Sequence, residues 1–329
     1  MSNRKYITFN YPTSQGGGKT LLTGIRDVID NKGQVYISGF YKYPTQSASV
    51  VPFVYKGTMG GTGTWHVLNY PSSYGTTVIE TNLYGPNNGA KHNHIQVVGN
   101  YTTEETNGSS IGCLYEGPLD GTGLWTTLIP ISSKPVLNTI AHSTMGGYVV
   151  GNYSTKQLHS KAFIYDIKNK KFHKILKSDS KSITAYGIWH NKKNQYTICG
   201  GYTNGNVETG INTGYLVDWD SDTHRFSNWK SFNYDNNPLT AIITHFDGIT
   251  SDNHNGYYLT GDWIGRSPNS SKLGFFAHVK RKPNNKFTKA IWSSISCDNY
   301  PTSGNSVYKK AVIGVYVISE DTVNGYISL

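Results

Sequence analysis

One short pattern recurs along the whole chain: an apolar residue, any residue, glycine, any residue, an aromatic. It reads Ile37-Ser38-Gly39-Phe40-Tyr41, Val97-Val98-Gly99-Asn100-Tyr101, Val149-Val150-Gly151-Asn152-Tyr153, Ile198-Cys199-Gly200-Gly201-Tyr202, Leu259-Thr260-Gly261-Asp262-Trp263 and Val312-Ile313-Gly314-Val315-Tyr316. The glycines are 60, 52, 49, 61 and 53 residues apart, averaging 55. That period is too long for a single hairpin and holds several short strands, which is the mark of propeller blades.

Each unit repeats the same internal order. The glycine run is followed by a second apolar run such as Phe53-Val54-Tyr55, Cys113-Leu114-Tyr115 or Phe163-Ile164-Tyr165. A turn comes next, nearly identical in Gly60-Gly61-Thr62-Gly63-Thr64-Trp65 and Asp120-Gly121-Thr122-Gly123-Leu124-Trp125, and its Trp opens a further run. Another run precedes each glycine run, as in Thr23 to Val28 or Ile242 to Ile249. Four strands per unit joined by short turns make an antiparallel meander. The last unit ends after three runs, and Tyr6-Ile7-Thr8-Phe9-Asn10-Tyr11-Pro12 matches the fourth run Trp65-His66-Val67-Leu68-Asn69-Tyr70-Pro71. The expected fold is therefore an all-β, six-bladed β-propeller with four-stranded antiparallel blades. The N-terminal strand completes the last blade and leaves no open sheet edge. The chain reads as one domain over 1–329, with blades at about 20–71, 72–131, 132–177, 178–234, 235–297, and 298–329 plus 4–12.

The fourth unit, with Gly200-Gly201-Tyr202, then Tyr215-Leu216-Val217-Asp218-Trp219 and Trp229, resembles the kelch repeat, and the third does so through Phe163-Ile164-Tyr165-Asp166 and Phe172. The other units keep one of the two glycines, so the chain resembles a divergent kelch-like propeller. That resemblance implies an interaction platform. The Asp120 to Trp125 turn also resembles a sialidase Asp-box hairpin, which is a structural turn.

Composition narrows the function classes. The formal net charge of +10 favours acidic partners, but the lysines are scattered and only five arginines occur, so no nucleic-acid motif stands out. No apolar run reaches the length of a membrane span, and the start has no signal-peptide core. Cys113, Cys199 and Cys297 are far apart, each within or beside an apolar run, and read as buried free thiols. A cytoplasmic or other reducing compartment is the expectation.

No complete catalytic motif is present. Gly16-Gly17-Gly18-Lys19-Thr20 has Thr13 where a phosphate loop needs its first glycine, and no helix follows, so it reads as a linker. His92 and His94 alternate but follow Asn87-Asn88-Gly89, which places them in a polar connection. Aligning the innermost strands on Thr23, Thr81, Thr139, Thr184 and Thr244 puts Arg26, Tyr84, His142, Gly187 and Asp247 three positions later, with Tyr308 as the sixth. Arg26, Tyr84, His142, Asp247 and Tyr308 are the candidate ligand-binding ring at the channel mouth. Glu80, Asn138 and Asp247 are the candidate metal ligands, and calcium is the ion such oxygen donors would take.

With six glutamates and no evident acid/base pair, the expected function is a non-catalytic propeller binding a glycan or a protein, and not an enzyme. The alternatives are a propeller enzyme, of calcium-dependent hydrolase or lactonase type or of sugar-modifying type, and a structural component of a larger assembly.

Overall fold

A computed structural model describes residues 4–13, 17–44, 50–72, 77–156, 159–205 and 210–329. Among these the chain is all-β, apart from a 3₁₀ turn at Tyr234–Asn236. Its strands pair into consecutive antiparallel meanders in a propeller-like arrangement. The first holds β2 (Gly18–Asp27), β3 (Val35–Lys42), β4 (Val51–Gly57) and β5 (Gly63–Val67). The next holds β6 (Val78–Asn88), β7 (His94–Thr103), β8 (Ile111–Pro118) and β9 (Leu124–Leu128). It is followed by β10 (Asn138–Met145), β11 (Tyr148–Ser154), β12 (Ser160–Asp166) and β13 (Lys171–Ile175).

In the fourth meander the first strand is broken into β14 (Ser180–Ile183) and β15 (Gly187–Lys192), both paired with β16 (Gln195–Asn204). It continues through β17 (Asn212–Asp220) and β18 (Arg225–Phe232). Then come β19 (Ala241–Ser251), β20 (Gly256–Gly265), β21 (Lys272–Lys280) and β22 (Ile291–Ile295). The chain ends in β23 (Thr302–Tyr308), β24 (Ala311–Ser319) and β25 (Thr322–Ser328), with the N-terminal strand β1 (Tyr6–Thr8) paired against β25. The three glycines read as a linker run partly into this framework. Gly18 to Thr20 open β2, and Gly16 lies outside the described residues.

The repeat glycine has a local cause that recurs in every meander. The first strand carries an extra residue against the second strand: Thr23 in β2, Tyr84 with Gly85 in β6, His142 in β10, Asp247 in β19 and Asn305 in β23. In the fourth meander Tyr186 falls in the break between β14 and β15. Each such bulge turns a carbonyl into the face of the second strand. A Cβ at Gly39, Gly99, Gly151, Gly200, Gly261 or Gly314 would meet that oxygen, on Leu21, Asn82, Ile140, Thr184, His245 or Ser303 respectively, at 1.9–2.2 Å. No other residue fits there.

Apolar clusters fill the spaces between successive meanders. Phe9, Leu22, Tyr41, Phe53 and Tyr55 share one cluster with Ile313 and Ile327, so that the first and last meanders meet in a common core. The fourth-strand tryptophans cap these clusters, as Trp65 does on Phe53 with 4.8 Å between ring centroids. The three cysteines are free and buried.

Candidate active site

The bulges matter because the extra residues come together beside the first strands. Thr23, Tyr84, His142, Tyr186, Asp247 and Asn305 all line one cavity of ≈ 250 Å³ there. The register explains why this set differs from the one aligned on sequence. Thr20, Thr81, Thr139, Ile183, Thr244 and Thr302 lie opposite the repeat aromatics Tyr41, Tyr101, Tyr153, Tyr202, Trp263 and Tyr316. The Oγ1 atoms of Thr20, Thr81, Thr244 and Thr302 each accept a backbone N–H from the segment after the preceding fourth strand. Thr20 rather than Thr23, and Ile183 rather than Thr184, are thus the equivalent positions. Tyr84, His142 and Asp247 stand at bulges, whereas Arg26 and Tyr308 lie three residues beyond the bulged Thr23 and Asn305. Gly187 follows the bulged Tyr186. Arg26 lines a smaller adjoining cavity with His142 and Asp247, and Tyr308 packs at the edge of the core shared by the first and last meanders.

Five of the twelve residues lining the cavity carry rings. Phe40, Tyr84, His142, Tyr186 and His245 follow one another with centroid separations of 6.4, 5.0, 4.5 and 5.5 Å. Burial lowers His142 to about 3, so its imidazole is neutral at ordinary pH. Burial raises the Tyr186 hydroxyl far above its usual value.

The opposite part of the wall is charged. His245 Nδ1 lies 2.9 Å from Asp247 Oδ1, and its Nε2 lies 3.5 Å from Asp262 Oδ1. Lys272 Nζ lies 2.8 Å from Asp262 Oδ2. Adjacent strands build this group. His245 and Asp262 are directly opposite each other across β19 and β20, Asp247 occupies the bulge of β19, and Lys272 opens β21. Ser303 Oγ donates to Asp262 Oδ1 at 3.4 Å and to Asn305 Oδ1 at 3.0 Å.

The two carboxyls have opposite protonation tendencies. Burial raises Asp247 to about 7, although the His245 charge opposes it. Burial would raise Asp262 as well, but His245 and Lys272 outweigh it and hold Asp262 below the usual carboxylate range. Burial acts to lower His245, and the two carboxylates prevail and raise it to about 9. Near neutral pH the group therefore holds an ionised Asp262, a charged His245 and an Asp247 that both gives and takes a proton. This corrects the expectation that no close acid/base pair exists. Its signal was present in the sequence, since Asp262 follows the repeat glycine directly in Leu259-Thr260-Gly261-Asp262-Trp263.

The metal set read from sequence is not assembled. Glu80 is tied to Lys42 Nζ at 2.9 Å and to Asn82 Nδ2 at 2.7 Å, and Asn138 Oδ1 accepts the Ser110 N–H at 2.9 Å. Neither lines the cavity with Asp247. His245, Asp247 and Asp262 do place one donor atom each within 4.8 Å of one another. An imidazole donor and the Lys272 ammonium on Asp262 suit calcium poorly, because that ion takes six to eight oxygens. His92 lies apart at an exposed ion pair, its Nδ1 2.8 Å from Asp30 Oδ2.

No protein-family model matches the sequence, and no curated protein matches it either. Solved structures resemble the fold. An alpha-L-arabinofuranosidase mutant from Fusarium graminearum, in complex with an iminosugar inhibitor, superposes with a TM-score of 0.50 at 12% identity, covering 94% of this chain and 92% of its own. An exo-1,5-alpha-L-arabinanase from a bovine ruminal metagenomic library gives 0.46 at 10% identity, covering 86% of this chain and 100% of its own. A levansucrase mutant from B. megaterium gives 0.49 at 8% identity, covering 83% and 85%. The Fusarium graminearum structure, alike over nearly the whole of both chains, corrects the kelch resemblance at the level of the fold. The double glycine before tyrosine that carried it occurs in one meander, and the glycine shared by all meanders makes room for the first-strand bulge. The expectation of a non-catalytic binding module is corrected by the close acid/base group of His245, Asp247 and Asp262; the Fusarium graminearum protein is by name an arabinofuranosidase. No helix among the described residues is long and apolar enough to cross a membrane.

Proposed function

We propose that the chain is a sugar-modifying enzyme, a glycosidase or glycosyltransferring enzyme, whose site is the cavity ringed by the bulged residues. One observation carries this reading: two neighbouring carboxyls share His245, Asp247 at 2.9 Å and Asp262 at 3.5 Å, while Lys272 holds Asp262 alone, a setting that pushes Asp247 up to about 7 and keeps Asp262 below its usual range. Glycosidic bond cleavage needs such a division, a carboxylic acid for the leaving oxygen and a fixed negative charge near the anomeric carbon. Asp247, the more exposed of the two at 14% against 2%, is the general acid. Asp262, kept ionised by Lys272 and His245, is the carboxylate beside the oxocarbenium-like centre. As the glycosidic C–O bond breaks, the Asp247 proton goes to the leaving oxygen, and water or an acceptor hydroxyl then bonds to the anomeric carbon and returns a proton to Asp247. Tyr84 and Tyr186 offer flat apolar faces to a sugar ring.

The same proposal extends to the architecture. The meanders are the six blades of one ring and a single domain over residues 1–329. In support, the first strands β2, β6, β10, β15, β19 and β23 each contact the next, and β23 contacts β2. The last blade is completed by β1, through the pairs Tyr6 with Ser328 and Thr8 with Tyr326.

The test is turnover of a panel of aryl furanosides and pyranosides by the full chain and by Asp247→Asn and Asp262→Asn. Asp247→Asn should lower kcat/KM by about 10²–10⁴-fold for substrates with poor leaving groups, and much less for activated nitrophenyl glycosides. Asp262→Asn should lower it for all of them. Turnover that survives both substitutions in folded protein would remove the site from the chemistry.

A further inference from the structure

Beyond the bulge layer, toward the C-terminal ends of the first strands, the buried cation of Arg26 makes no salt bridge among the described residues, although the Asp247 carboxyl lines the same cavity. Arg26 is 6% exposed, and its Nε and Nη1 have no hydrogen-bond partner among the described residues. Its guanidinium carbon lies 5.2 Å from the ring centroid of Trp189, on β15 in another meander, so the side chain reaches across the channel. The indole face attracts the charge but offers no hydrogen-bond acceptor. Burial lowers Arg26 to about 10, against Asp27 and Tyr308, and it stays charged at neutral pH. Folded proteins avoid leaving such a charge unpaired.

The cavity that Arg26 lines measures ≈ 20 Å³. His142 lines it too, and its Nε2 is also buried without a partner. Gly85, Gly187 and Gly248 share the wall with Ser143, Ser306 and the Asp247 carboxyl, so the space follows in part from the small residues next to the bulges. That volume holds one occupant of about the size of a water molecule. A tetrahedral oxyanion does not fit.

We propose that this cavity binds a single halide ion, held by Nε and Nη1 of Arg26. The inference does not rest on the sugar chemistry, although His142, Tyr186 and Asp247 line both cavities.

Thermal unfolding of the full chain at constant ionic strength tests it, using the sodium salts of chloride, bromide and methanesulfonate. A saturable rise in Tm of several degrees is expected with chloride and bromide and none with methanesulfonate. Arg26→Met should lose the halide response. Crystals of the unmodified chain soaked in bromide should show an anomalous peak within hydrogen-bond reach of Arg26, which decides the matter even if Arg26→Met fails to fold. Equal Tm in all three salts, a halide response retained by Arg26→Met, or an occupant without anomalous signal (a water) would each overturn the proposal.

Discussion

Asp247 and Asp262 show how position, not residue type, sets chemistry in this fold. They stand on neighbouring strands, Asp247 half-buried and Asp262 buried, yet one is pushed toward neutrality and the other is kept charged by Lys272 and His245. The same contacts set a pH dependence of stability. His245, raised to about 9 from 6.5, binds its proton more tightly in the folded chain than in the unfolded one. Its contribution is complete below pH 6.5 and is lost as the pH rises through 9. Asp247 has the same sign, its raised value costing stability as the pH climbs through about 7. Thermal unfolding from about pH 6 to about pH 10 should therefore show a falling Tm, and His245→Gln should flatten the upper part of the fall. A Tm independent of pH across that range would contradict the assigned charges.

At the scale of the strand, the repeat glycine and the bulge are two halves of one device. The bulge aims a side chain into the channel, and the glycine accepts the carbonyl that the bulge displaces. Gly261→Ala puts a Cβ 1.9 Å from the His245 carbonyl, so it should cost about 3 kcal/mol and disturb the site at the same time. Gly60→Ala, whose Cβ meets nothing closer than the Thr58 hydroxyl at 3.7 Å, should stay within about 0.5 kcal/mol. Comparable midpoints in urea for the two variants would refute the coupling. The glycine was legible in the sequence and the bulge was not. An extra residue in one strand leaves the pattern of its partner unchanged, so aligning on Thr23 slid the first unit by three residues and placed Arg26 in the wrong layer. The repeat Thr-x-x-x-Gly/Ser, seen in Thr20 to Gly24, Thr81 to Gly85, Thr139 to Ser143, Thr244 to Gly248 and Thr302 to Ser306, carries the correct register. The acid pair was hidden for a related reason. Its members are 15 residues apart, and only the pairing of β19 with β20 brings them together.

For the molecule as a whole, residues 6–11 tie the two ends together. Phe9 donates its N–H to Gly325 O at 2.8 Å, and Asn10 Oδ1 accepts the Gly325 N–H at 2.9 Å. Phe9 then packs on Tyr55, with 5.1 Å between ring centroids, and Tyr11 stacks on Tyr41 and Phe53 of the first meander. The pairing of β1 with β25 was legible because the N-terminal residues copy the fourth-strand pattern Trp65 to Pro71. The chemistry inside the ring was not, since a net charge of +10 and an abundance of tyrosine describe a surface and a core without locating a site. The central claim is a closed ring that holds its channel residues in one layer, and residues 1–12 are where it is most exposed to test. Thermal unfolding of the chain lacking residues 1–12 should show a loss of at least about 4 kcal/mol from the burial of Phe9 and Tyr11, a fall in Tm of roughly 5–10 °C. A truncated chain that melts at the temperature of the full one would contradict the closure.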